Sequence, residues 1–123
     1  MPEDLDVPLT LEGTREIGAT LGSGVVMCFT RDTDFAPVLR RIAGFFRDES
    51  CGQCVPCRVG TVRQEEALAR IVRGREIGGR ATELQLLTDV DRVMTDASIC
   101  GLGQTAASAV RSALELGLVG EKA

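Results

Sequence analysis

The amino-acid sequence predicts a mainly α fold: a small four-helix bundle preceded by a short strand-containing segment. Three observations predict it. After Asp34, apolar residues recur at helical spacing in four stretches, each bounded by capping or breaking residues. The connections between them are short, which favours antiparallel neighbours. Aromatics make up 3% of the 123 residues against 44% apolar residues overall, so the helices must close on small aliphatic side chains. A chain this long holds one domain, or one plus a fragment of another.

Residues 1–33 read as a unit apart from 34–123. Pro2 to Pro8 is acidic, and Leu9 to Gly18 has room only for a short helix because Gly13 and Gly18 punctuate it. Gly22-Ser23-Gly24 then leads into Val25-Val26-Met27-Cys28-Phe29, an apolar run of strand length in which Cys28 reads as a plain core residue. A lone strand is not stable in water. The segment therefore reads as the tail of a domain whose earlier part lies elsewhere, or as an arm that docks on another chain.

The first bundle helix is capped by Asp34, with Pro37 in the tolerated first turn and a stripe of Val38, Leu39, Ile42, Phe45 and Phe46. A second begins near Pro56, runs through Val62, Leu68, Ile71 and Val72, and ends at Gly74. The third is expected from Thr82, where Gln85 completes a capping-box pattern, and buries Leu84, Leu87, Val90 and Met94. The fourth follows Gly103, runs through Ala106, Ala107, Ala109, Val110, Ala113 and Leu114, and stops at Gly117.

Fourteen basic against eighteen acidic residues give a net charge of −4, which argues against nucleic-acid partners and anionic membranes. Between Arg40 and Arg80 nine Arg face five acids, and Lys122 is the only lysine. That excess reads as a solvated helical surface, with a docking face for an acidic partner, or a positive environment for a negatively charged centre, as the alternative. The acidic start at Glu3-Asp4 does not resemble a secretory leader, and no apolar run is long enough to span a bilayer, so no direct membrane insertion and a cytoplasmic location are expected. The chain contains no His, which excludes His-based acid–base and nucleophilic catalysis.

Five Cys remain, in a setting expected to be reducing, where clustered thiols more often bind metal or do redox chemistry than form structural disulfides. Cys51, Cys54 and Cys57 stand at C-x-x-C-x-x-C spacing, and Cys100 lies in the Gly-rich stretch Ser98-Ile99-Cys100-Gly101-Leu102-Gly103. A local loop of three thiolates plus one distant thiolate is what a [4Fe–4S] cubane requires. A four-cysteine zinc site is the alternative, although such sites generally use two separated pairs. A thioredoxin-like dithiol would need a strand–helix context that a bundle does not offer.

Ser50 to Cys57, Arg58-Val59-Gly60-Thr61, and Ser98 to Ala106 resemble the C-terminal region of the NADH-binding, flavin-containing subunit of respiratory complex I. The same region occurs in β subunits of NAD-dependent formate dehydrogenases and of NAD-reducing or bifurcating hydrogenases, to which Gly101-Leu102-Gly103-Gln104-Thr105-Ala106 is the more similar. The resemblance covers nearly the whole chain, with Leu5 to Phe29 similar to the end of the family's ubiquitin-like (SLBB-type) domain. It implies that Cys51, Cys54, Cys57 and Cys100 hold one [4Fe–4S] cluster that exchanges electrons with FMN. It also implies partners: a flavin- and NAD(P)-binding domain or subunit and other iron–sulfur subunits. Nothing in this chain resembles the glycine-rich FMN- and NADH-binding domain, so the chain alone is not expected to oxidise NADH. Val59 replaces the family's usual acidic residue and removes a charge beside the site. The resulting reading is an electron-transfer module of a multisubunit NAD(P)-linked oxidoreductase. The alternative is a zinc- or cluster-stabilised scaffold without electron traffic.

Overall fold

The computed structural model describes residues 4–119, and the chain separates between Thr33 and Asp34 into two compact units. In the first unit, α1 (Leu11–Glu16) is the short helix expected, capped by the Thr10 hydroxyl, which accepts from the Gly13 N–H at 3.0 Å. Val25 to Phe29 is not a strand. These residues run without regular structure and are exposed, Cys28 with them, because the described part of the chain offers no second strand to pair with. The expectation that Cys28 is a core residue is corrected for the same reason.

The second unit is helical: α2 (Phe35–Asp48), α3 (Val55–Arg73), α4 (Arg80–Ala97), α5 (Gly101–Thr105) and α6 (Ser108–Glu115). Asp34 caps α2 as predicted, accepting from the Ala36 N–H at 3.0 Å. α2 buries Leu39 and Ala43, leaving Phe45 exposed at the edge of the half-buried Phe46 ring. α3 lies at the centre, packed against both α2 and α4, and buries Ala67, Leu68 and Ile71. It ends at Gly74 with φ 60°, as its sequence position foretold.

Two expected helix starts are corrected. α4 begins two residues before Thr82, with Gly79 at its cap and no side-chain cap, so the capping box does not form. Already inside the first turn, Thr82 Oγ1 donates back to the Gly78 carbonyl at 2.8 Å, and Gln85 donates to Asp89. The fourth helix is two pieces, interrupted at Ala106-Ala107. The Ala106 carbonyl accepts from Gln64 Nε2 at 3.1 Å, a polar bond from deep inside α3. α6 then closes where Gly117, at φ 64°, lets the Leu118 N–H return to the Ala113 carbonyl at 2.8 Å.

The core is aliphatic: Leu39, Ala43, Ala67, Leu68, Ile71, Leu87, Val110 and Ala113 form one cluster, and Met94, Ala106 and Ala107 a second. One ion pair penetrates it. Glu83, 1% exposed, accepts from Arg70 Nε at 2.6 Å, from Arg70 Nη2 at 2.9 Å and from the Ile77 N–H at 3.0 Å, which locks the α3–α4 turn. Several other arginines of the basic stretch are also paired: Arg47 with Asp48 and Glu65, Arg63 with Glu66, and Arg80 with Glu76.

Candidate metal centre

The cysteine triplet occupies the passage from α2 to α3. After Ser50 the backbone turns at Gly52, whose φ of 75° a side chain would strain, and Arg58 Nη1 ties that turn by donating to the Gly52 carbonyl at 3.1 Å. Cys54 is the N-cap of α3, with Pro56 in the first turn, and its carbonyl accepts from the Arg58 N–H at 3.0 Å. Cys57 is thereby carried into the first helical turn, where it is buried. Cys51 is exposed and Cys54 half-buried.

Cys100 arrives from the other side of the bundle. Ser98 ends α4 by donating its N–H to the Met94 carbonyl at 3.1 Å, and Cys100, exposed, is the N-cap of α5. Two observations bring this loop against the triplet. The N–H of Ile99, foremost, and that of Cys57 donate to the Cys54 sulfur and hold its thiol below the usual range, against the opposing effect of desolvation. A Cβ on Gly103 would collide with Ser98 Oγ and come 2.9 Å from Cys57 Cβ, so only glycine lets α5 approach.

The structure thus joins the two loops through Cys54 and Cys57, but it does not draw three or more of the described Cys, Asp or Glu side chains together tightly enough to hold a metal ion. The donor chemistry nevertheless fits a thiolate-bound iron–sulfur group. The two loops carry four thiols between them, the positive end of a 19-residue helix lies at Cys54, and the buried Ser98 hydroxyl has no partner of hydrogen-bond geometry.

The sequence marks Ser50 and Ser98 only as parts of motifs and does not reveal their placement. Ser50 Oγ lies 3.4 Å from Cys57 Sγ. The signal is one of position, a hydroxyl residue directly before the first cysteine of the triplet and another two before Cys100. Val59, where an acid was expected, lines an apolar groove of about 340 Å³ with Val55, Pro56, Val90 and Val93. No helix among the described residues is long and apolar enough to cross a membrane.

Residues 37–116 match the family model of the NADH-ubiquinone oxidoreductase-F iron-sulfur binding region. The chain is 36% identical over 102 residues to an F subunit of the NADH-quinone oxidoreductase of Rhizobium meliloti, a match covering 83% of this chain and 23% of that protein. It is 37% identical over 113 residues to the F subunit of the NADH-quinone oxidoreductase of Streptomyces coelicolor, covering 92% of this chain and 24% of that protein. It is 33% identical over 113 residues to the NADP-reducing hydrogenase subunit HndC of Solidesulfovibrio fructosivorans, covering 92% and 22%. The chain spans about a quarter of the length of these curated relatives.

Proposed function

Since the chain belongs to the family of the NADH-ubiquinone oxidoreductase-F iron-sulfur binding region, whose group is a [4Fe–4S] cluster, we propose that it is an electron-transfer module carrying one such cluster on Cys51, Cys54, Cys57 and Cys100. The module relays electrons to or from a flavin held by a partner domain or subunit of a multisubunit NAD(P)-linked oxidoreductase. Residues 5–29 serve as the end of the ubiquitin-like domain that leads from that partner. The observation that carries the reading is the close approach at Gly103, where a Cβ would stand 2.9 Å from Cys57 Cβ, so that the stretch after Cys100 lies against the triplet.

When bound, the cluster accepts or releases one electron at a time. The chain's own residues do the rest. The four thiols act as thiolate donors. The Ile99 and Cys57 N–H groups and the N-terminus of α3 favour negative charge at Cys54. Arg58 holds the loop at Gly52 and brings a positive charge to the site. α3 and α4 behind it exclude water and fix the distance to the next redox centre.

Iron and acid-labile sulfide analysis of the chain reconstituted anaerobically tests the reading. About four iron and four sulfide per chain, with visible absorption that bleaches on reduction, is the expected result. A colourless protein with about one zinc rejects it in favour of the scaffold.

A further inference from the structure

Ser98 ends α4, 6% exposed as a residue, with its hydroxyl buried and unpartnered. A buried hydroxyl without an acceptor is costly, so its persistence needs an acceptor supplied in the functional state. The surroundings say where that acceptor lies. The hydroxyl presses on the bare Cα of Gly103, on the side where Cys57 Cβ also stands. The Ser98 carbonyl is already occupied by Gln104 Nε2 at 3.0 Å and its N–H by Met94, so the residue is held from both backbone groups while only the hydroxyl is left to give.

We propose that Ser98 Oγ–H donates a hydrogen bond to a sulfur of the bound cluster or of its thiolate ligands, and thereby raises the cluster's reduction potential. The proposal rests on the ligand assignment above. Reduction by a one-electron donor such as a reduced flavin adds negative charge to the cluster and its sulfurs; the hydrogen bond strengthens with that charge, and the proton stays on Oγ with no bond broken. Ser50, near Cys57, is placed to do the same from the other loop, but its Oγ already lies within reach of both Cys57 Sγ and the Gly52 N–H, so it is not an orphan donor. Ser98 is a tuning residue rather than a catalytic one.

The test is an EPR-monitored dithionite titration of the full chain with its cluster reconstituted, comparing wild type, Ser98→Ala, Ser98→Thr and the remote, exposed Ser112→Ala, each with its iron content. Ser98→Ala should retain iron and be harder to reduce by about tenfold in the reduced-to-oxidised ratio, ~59 mV for a one-electron couple. Ser98→Thr, which keeps the hydroxyl, and Ser112→Ala should titrate with wild type. An unshifted Ser98→Ala carrying a full cluster overturns the proposal, as does an equal shift in Ser98→Thr. Iron loss in both Ser98 variants also overturns it, since packing would then be the role of the residue. Failure of wild type to bind iron is a different result, and sinks the ligand assignment itself.

Discussion

Cys100 and Cys28 are both exposed thiols in this fold, yet their replacement should have opposite consequences for iron. Removing Cys100 opens one iron corner, and because ligand binding is coupled to folding, Cys100→Ala should lose both iron and thermal stability. Cys28→Ala should lose neither, since its side chain supports no core contact. Equal iron content in the two variants would overturn the assignment. Gly103 gives a sharper residue-scale prediction. An added methyl meets the Ser98 side chain, which can rotate, and Cys57 Cβ, which the first turn of α3 holds in place. Gly103→Ala should destabilise the bundle by about 1–3 kcal/mol, read from denaturant midpoints, and slow cluster insertion.

At the level of elements, the α3–α4 turn depends on Glu83. Arg70 first, and the Ile77 N–H beside it, hold the Glu83 carboxyl below its ordinary range in spite of burial. A carboxylate with a lower pKa when folded binds fewer protons in the native state, so its stabilisation is complete above its unfolded value of about 4.3 and is lost as pH falls through the folded value. Glu83→Gln should cost about 3 kcal/mol at neutral pH, toward the low end for a buried pair because Arg70 keeps some solvent contact. Urea melts across acid pH should show the gap to wild type narrowing as pH falls. This pair was not legible in the sequence. Glu83 lies among charged and polar neighbours and has no periodic signature, and only the α3–α4 turn brings it to Arg70. The helices were legible because their apolar stripes repeat at 3.6 residues, and the cysteine loops stood out as a candidate site because three thiols at spacing three are rare outside metal and cluster sites. Breaking the last helix could not be read, since it depends on Gln64, a polar residue whose burial is decided by tertiary packing. The strand at Val25 failed for a related reason, because β-propensity is realised only against a partner strand.

On the scale of the whole molecule, the irregular run from Val25 to Phe29 should exchange its amide hydrogens rapidly in the isolated chain, while α3 and α4 exchange slowly. Slow exchange at Val25 to Phe29 equal to that of the helices would show that the segment needs no partner. The two polar fastenings of the α3–α4 pair lie at its opposite ends. Arg70 and Glu83 hold the end near the turn, and the cysteine loops hold the other, about 20 Å away along α3 at 1.5 Å per residue from Cys57 to Arg70. Perturbations separated by that distance without shared partners add independently. Heat resistance and redox tuning are therefore separately adjustable properties of one short hairpin. A Glu83→Gln/Ser98→Ala double variant should melt as Glu83→Gln does, apart from any small packing loss at Ser98, and titrate as Ser98→Ala does. Either property can thus be changed in this chain without disturbing the other.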